Sequence, residues 1–348
     1  MVRILVTGFE PFGGHQRNIS SDLVETLSDR ILLDDPWADI REYSIESLEA
    51  IIDTRILSVD KAGSIDVATS IKKGQNWDAI LHIGLCETCK IPRLETRAQD
   101  RIDMRIPDND GRQISEQEIS GLGDLYATAP VKSWMSLAWS IDCELSSNAG
   151  TFLCNETLYQ TLSALENTAI SDRKVPPCFF LHLPSEENCT LDSANTFVRE
   201  ILQRIMFRPV LSVVGALIIQ DEHYLAARRS SSQSHAGKWE FPGGKVEPNE
   251  HMTQALEREI KEEFGWHVTC ESSLGTWYHS LEQIDIALHI LPTSFVGKVP
   301  NFEDKGRWTA HDEIKWRTLT DSTPIDWLGN DKAVVEWMKQ IQYLSTTK

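Results

Sequence analysis

Over the first two hundred residues, apolar β-branched runs alternate with stretches whose apolar residues recur at helical spacing. "RILVTGF", "WDAILHIGL" and "PPCFFLHLP" read as buried strands. "SSDLVETLSDRIL" has helical spacing behind a serine cap, "GTFLCNETLYQTLSAL" reads as a turn into a helix, and "SANTFVREILQRI" reads as a closing helix. Strands alternating with helices predict an α/β domain, layered on a mostly parallel sheet. After Ile205 the segment "MFRPV" breaks the helix at Pro209, and "VLSVVGALII" starts a new strand. A turn at Gln220–His223 leads into a second strand, "YLAARR". This restart divides the chain into domains of residues 1–207 and 208–348. The second has strand-rich stretches around Tyr278 and Ile286–Leu291 and a terminal helix near Asp331–Ile341. There is no internal repeat and no low-complexity tract.

The stretch from Glu250 to Phe264 carries the first chemistry. Met252, Leu256, Ile260 and Phe264 recur every four residues and give a helix one apolar stripe. Glu259, Glu262 and Glu263 stand at i, i+3 and i+4, so their carboxylates share another face. Like charges at that spacing destabilise a bare helix. They become useful around a hard cation such as Mg²⁺, which takes oxygen ligands and can bridge carboxylates to a substrate's phosphates. A solvated acidic face is the ordinary reading of two or three glutamates, and the wider spacing decides against it. Gly244, five residues, Glu250, seven residues, Arg258-Glu259, Ile260, one residue, Glu262-Glu263, one residue, Gly265-Trp266 is a complete Nudix box.

The stretch therefore resembles the loop–helix of Nudix hydrolases, which cleave nucleoside diphosphates linked to another group. The resemblance implies a second α/β/α layered domain with a mixed sheet. It implies Mg²⁺, with Mn²⁺ as a substitute, held by Glu259, Glu262 and Glu263 near the Gly244 carbonyl. Glu262 and Glu263 would serve catalysis, while Gly243, Glu250, Arg258 and Gly265 would shape the motif. The flank "ARRSSSQSHAGKWEFPGGKVE" resembles the MutT branch, which converts damaged nucleotides such as 8-oxo-dGTP to the monophosphate and pyrophosphate. That likeness gives Arg229 and Phe241 substrate contacts and makes Asn330 a base reader, the other reading of Asn330 being a helix cap. Ala310 stands where the branch has a further glutamate, with Asp312 or Glu313 as stand-ins. Cytidine-nucleotide hydrolases share most of these features, and a domain that senses a nucleotide without cutting it is the rival reading.

"ILVTGFEPFGG" lacks the G-x-G-x-x-G spacing of a dinucleotide site. It resembles instead the opening of type I pyroglutamyl peptidases, cysteine peptidases that remove N-terminal pyroglutamate, and Asn18 and Ser20 extend the likeness. "SNAGTFLCN" resembles the nucleophile turn and puts Cys154 at a helix start, where the dipole favours a thiolate. "FFLHLP" and "LETRAQDRIDMRIPDNDG" imply His182 and Glu95 as its catalytic partners and Arg105 as an active-site arginine. Phe9 and Phe12 would wall a lactam pocket. Where relatives carry a glycine-rich run, this chain has "GLCETCKIPR", and Cys86 and Cys89 read as two incidental thiols rather than a zinc or redox pair. The rival reading makes this half a non-catalytic binding or assembly module.

Composition narrows the partners. A 348-residue chain that is 41% hydrophobic can bury more than one core. A formal net charge of −18 excludes a general nucleic-acid or anionic-membrane binder. Small nucleotides and pyroglutamyl peptides are the expected partners, with a homo-oligomer left open. Seven scattered cysteines suit a reducing compartment, and no signal peptide or membrane-length apolar run is visible, so a cytoplasmic protein is expected.

Overall fold

The computed structural model describes residues 1–168 and 175–343. The chain divides into two compact units. One comprises Met1–Ala38, Ile45–Met135 and Trp139–Phe207; the other runs from Arg208 onward and takes in Asp39–Ser44 and Ser136–Ala138.

The first unit is built on a seven-stranded sheet in the order Arg30–Leu33, Leu48–Leu57, Val2–Phe9, Ala79–Leu85, Cys178–Leu183, Arg93–Glu95, Glu144–Ser146. Its central pairings are parallel, while Arg30–Leu33 and Arg93–Glu95 run against their longer neighbours. Side chains alternate across such a sheet. Leu5, Ile80 and Phe180 meet Val67, Ala68 and Ile71 of the helix Lys61–Lys72, and Leu158, Leu162 and Leu165 of the helix Leu153–Thr168. Burying each such side chain contributes roughly 1.5–3 kcal/mol. The helices Ile19–Thr26 and Leu191–Met206 also pack together.

Two local expectations change. The helix after the glycine loop is capped by the Asn18 side chain, which accepts from the Ser20 N–H, and it ends at Thr26. The residues Arg30–Leu33 that seemed to continue it pair instead as an edge strand.

The second unit has a mixed sheet centred on Val210–Gln220, which pairs antiparallel with His223–Arg229 and parallel with Asp285–Phe295. Alternation splits its apolar residues between two cores. Val214, Ala216 and Ile218 meet Leu256, Ile260 and Phe264 of the acidic helix Met252–Phe264. Leu217, Tyr224 and Phe241 meet Val334, Val335 and Met338 of the helix Asp331–Gln340. His251 and Gln254 form a reciprocal box that starts the acidic helix, and Gly265 ends it at φ 71°, a left-handed conformation suited to glycine. Among the described residues, no helix is long and apolar enough to cross a membrane.

Candidate functional site

Three residues of the first unit, far apart in sequence, meet at the carboxyl ends of its central strands. Gly84 and His182 are paired across adjacent parallel strands, and Glu95 lies on the strand on the other side of His182. His182 Nδ1 and Glu95 Oε1 lie 2.8 Å apart, and Cys154 is near enough to the imidazole to favour its protonated form. Glu95 is fully buried, and its second oxygen has no hydrogen-bond partner among the described residues. Cys154 is the second residue of the helix Leu153–Thr168, within its first turn, where unpaired backbone N–H groups and the helix dipole favour negative charge.

The turn that carries Cys154 is clamped from the side. Asn155, with no exposed surface, accepts from the Gln99 N–H at 2.7 Å and donates to the Gln99 and Arg101 carbonyls at 2.8 and 2.9 Å. Thr151 and Asp103 add a backbone hydrogen bond of 2.8 Å and a hydroxyl bond of 2.9 Å. Glu156 takes Arg112 at 2.8 Å and also pairs with Lys61. Burial raises the Glu156 carboxyl, and these two cations outweigh that effect and hold it below its ordinary value. Asn155 and Glu156 escaped the sequence reading because an Asn or Glu inside a helix carries no sign of a remote partner.

Burial alone would lower the His182 pKa, but Cys154 and Glu95 overcome it and hold the ring up to about 9. The folded value lies above the unfolded value of about 6.5. The contribution to stability is therefore complete below about pH 6.5 and is lost as the pH rises through about 9. In that window stability should fall by roughly 1.4 kcal/mol per pH unit at most. Imidazole ¹H–¹⁵N spectra should show His182 protonated beyond pH 8, with its midpoint lowered in Glu95→Gln. A titration near 6.5 in the native chain would contradict the arrangement.

Phe9, Phe12, Asn18, Leu85 and Phe152 surround a small pocket that opens at Cys154. Phe12 and Phe152 have ring centroids 6.0 Å apart, so the pocket is apolar and aromatic on that side. A Cβ on Gly84 would come within 2.8 Å of the Phe180 ring and 3.0 Å of Cys154 Sγ. Gly84→Ala should therefore displace the thiol and lower any Cys154-dependent turnover by about 10- to 100-fold, as expected for misplacement by an ångström. Unchanged turnover with an unchanged Cys154 alkylation rate would refute this reading of the contact.

Arg105 is exposed, and its backbone carbonyl accepts from the Gln113 side chain. One expectation fails here. Cys86 and Cys89 are not incidental thiols: they form a disulfide in the loop after Leu85.

In the second unit, the acidic helix presents its glutamates as expected, but in unequal settings. Arg258 Nε and Nη2 clamp Glu250 at 2.9 Å each, Nη1 reaches Glu259 at 2.9 Å, and Nη2 donates to the Lys245 carbonyl at 3.0 Å. Arg258 holds the Glu250 carboxyl below its ordinary value. The Glu259 carboxyl lies against Gly244, where any Cβ would collide with it, and a Cβ on Gly243 would meet the Val214 carbonyl. Glu262 is largely exposed, 3.5 Å from Arg258. Glu263 is pushed up to about 8 by burial and then by Glu240 and Glu259.

Beneath Glu263 lies a set that only the fold brings together. Arg229 Nη1 donates to Glu240 at 2.8 and 3.1 Å, and His311 Nε2 lies 2.9 Å from Glu240 Oε1. His311 Nδ1 is 3.6 Å from Glu263 Oε2, and neither atom has a hydrogen-bond partner among the described residues. Ala310 is buried, and its carbonyl accepts from the Ser230 N–H. Asp312 and Glu313, the alternatives to an acid at 310, both pair with Arg228 at 2.7 Å. Phe241 is packed between Tyr224 and Trp327 in the core rather than along an open wall. Asn330 starts the helix Asp331–Gln340 without a side-chain cap bond; its amide donates to the Tyr278 carbonyl. The neighbouring Asp331 is buried, accepts from the Phe241 N–H at 2.7 Å, and is raised well above its ordinary value by burial.

The donor set suits a hard divalent cation, being all carboxylate, with Glu263 Oε2 buried and unpartnered. Among the described residues no group of three or more acidic, histidine or cysteine side chains is arranged to hold a metal ion; Arg258 pairs with Glu259 and lies 3.5 Å from Glu262.

Comparison with known proteins agrees with this division. Residues 2–206 match the pyroglutamyl peptidase family model, and residues 209–338 match the NUDIX domain model. The chain is 33% identical over 187 residues to the pyrrolidone-carboxylate peptidase of Staphylococcus saprophyticus, covering 53% of this chain and 78% of that protein. It is 31% identical over 165 residues to the Pyrococcus furiosus pyrrolidone-carboxylate peptidase, covering 46% and 72%. The solved pyrrolidone carboxyl peptidase from Thermus thermophilus aligns at 29% identity with a TM-score of 0.46, over 58% of this chain and 99% of that one. This chain belongs to the pyroglutamyl peptidase family and carries a NUDIX domain fused behind its peptidase-family domain.

Proposed function

We propose that the chain is a hydrolase with two activities, removal of N-terminal pyroglutamate by the first unit and cleavage of a nucleoside triphosphate by the second. The observation that carries the first is the buried Glu95–His182 pair beside Cys154 at a helix start. In this reading His182 takes the Cys154 proton, and the thiolate sulfur attacks the pyroglutamyl carbonyl carbon. Backbone N–H groups of the helix's first turn stabilise the oxyanion. His182 then gives its proton to the leaving amine as the C–N bond breaks, and it later activates the water that hydrolyses the thioester. Glu95 fixes the ring's tautomer and orientation throughout. Phe9, Phe12 and Phe152 enclose the lactam ring.

For the second unit we propose a MutT-type pyrophosphohydrolase that takes 8-oxo-dGTP or a related nucleotide to the monophosphate and pyrophosphate. The intact Gly244-to-Trp266 motif supports this reading. Glu259, Glu262 and Glu263 would hold Mg²⁺ or Mn²⁺ with the Gly244 carbonyl. Once bound, the cation would neutralise charge on the phosphates and make a water more acidic. Arg229 is held by Glu240 close to Glu263's surroundings and suits a phosphate or sugar contact. Asn330 keeps its carbonyl oxygen and one N–H for a base, because the amide's other hydrogen goes to Tyr278. Cytoplasmic localisation belongs to the same reading.

One experiment addresses each half. A fluorogenic pyroglutamyl substrate should be cleaved, and the matching alanyl and prolyl substrates spared. Mg²⁺-dependent pyrophosphate release should favour 8-oxo-dGTP over dGTP, dCTP and 5-methyl-dCTP. Preference for the cytidine nucleotides would keep the enzyme class and remove Asn330 as a guanine reader. No turnover of any nucleotide would leave the second unit a binding module.

A further inference from the structure

The Cys86–Cys89 disulfide lies directly beyond the candidate pocket. The strand Ala79–Leu85 runs beneath Cys154, with Gly84 against the sulfur and Leu85 in the pocket wall. Cys86 follows at once, and its N–H still bonds the Leu183 carbonyl at 2.7 Å, one residue beyond His182. The chain then leaves the sheet as Cys-Glu-Thr-Cys. The Cys89 N–H turns back to the Cys86 carbonyl at 3.3 Å, and the disulfide closes the turn. Glu87, at the tip of this ring, pairs with His15 at 2.5 Å. His15 packs against Phe12, with ring centroids 6.3 Å apart. The disulfide thus lies outside the pocket and reaches two of its sides: one through its chain neighbour Leu85, the other through Glu87 and His15 to Phe12.

We propose that the Cys86–Cys89 disulfide is a redox-sensitive brace behind the wall of this pocket, fixing its width for a lactam ring when closed and weakening ligand binding when reduced by a dithiol. The specificity half of this inference rests on the peptidase reading of the first unit. Cys86 is part exposed while Cys89 is buried. A dithiol reductant's thiolate therefore attacks Cys86 sulfur, and the S–S bond breaks with Cys89 leaving as a thiolate that takes up a proton. The reductant's second thiolate then displaces Cys86 from the mixed disulfide. The products are two cysteine thiols and an oxidised, cyclised reductant, a two-electron exchange. Disulfides inside cells are often redox-sensing. Opening a four-residue ring restores conformational freedom to Glu87, and the His15 contact loses its fixed partner.

The test compares the native chain, its disulfide verified by intact mass, with a Cys86→Ser/Cys89→Ser double variant. Two readouts are taken: hydrolysis of the pyroglutamyl substrate, and protection of Cys154 from iodoacetamide by 2-pyrrolidone. The variant's KM and the 2-pyrrolidone concentration giving half protection should rise on the order of tenfold, the scale of closing so short a loop. Its kcat should stay within about twofold. Dithiothreitol should move the native chain to the variant's values and leave the variant unmoved, which tests the idea even if the variant folds poorly. Equal KM and equal protection in the two chains, or a native chain insensitive to dithiothreitol, would overturn it. If the substrate is not cleaved but 2-pyrrolidone protects the native chain better than the variant, the brace stands and the peptidase reading falls. If 2-pyrrolidone protects neither, both fall.

Discussion

Cys154→Ser should lower kcat/KM for a pyroglutamyl substrate by roughly 10⁴-fold or more, the scale on which removal of a nucleophile that acts with its base is felt. Serine is close in size, and the sulfur's neighbours, Gly84 and the start of the helix Leu153–Thr168, impose no need for a larger atom. The melting temperature should therefore stay close to that of the native chain, and nucleotide turnover should be untouched. His182 supplies an internal control: without the Cys154 sulfur beside it, one of the two groups that raise its pKa is gone, and its titration midpoint should move below about 9. The measurement is a progress curve with and without prior alkylation of the native chain. Residual hydrolysis within tenfold of native would mean that Cys154 is not the attacking atom, however well its surroundings suit the part.

Glu262→Gln carries the second large effect. Its side chain is 62% exposed, so the change should alter stability by less than about 0.5 kcal/mol. Pyrophosphate release should nevertheless fall by roughly 10²- to 10³-fold, as when one group that stabilises transition-state charge is removed. Mg²⁺ should raise the melting temperature of the native chain by linkage and raise it less in the variant. A variant that keeps both its turnover and its Mg²⁺ response would move the chemistry away from the helix's exposed edge, towards buried Glu263 and the Glu240–His311 pair.

These expectations show what a sequence can carry. The acidic helix was legible because its period and its charged positions agree over thirteen residues, and the structure ends it at the same glycine. Cys154, His182 and Glu95 were legible through the stretches around them, although nothing local says that residues 87 apart share a hydrogen bond. Glu240 and His311 were missed for that reason. They meet because the strand His223–Arg229 pairs with Trp239–Glu240 on one edge and with His311–Arg317 on the other. The strand Leu48–Leu57 was also missed: its "LEAIIDTRIL" mixes acids and an arginine into a half-buried run with no clean alternation. The disulfide depended on a turn geometry that two cysteines three apart do not by themselves reveal.

The strand order of the first unit has a consequence for the life of the chain before it is finished. Cys178–Leu183, among the last elements of that unit to be synthesised, lies in the sheet between Ala79–Leu85 and Arg93–Glu95, which are made about a hundred residues earlier. At roughly 5–20 residues per second, a nascent chain waits several seconds with its carboxylate and a gap between two strands, and its thiol joins only near the end of that wait. Glu95 acquires its partner only when the late strand inserts into that gap. In the peptidase reading, catalytic competence and completion of the sheet are then one event, and a polypeptide that stops short of this strand has Cys154 without His182 beside it.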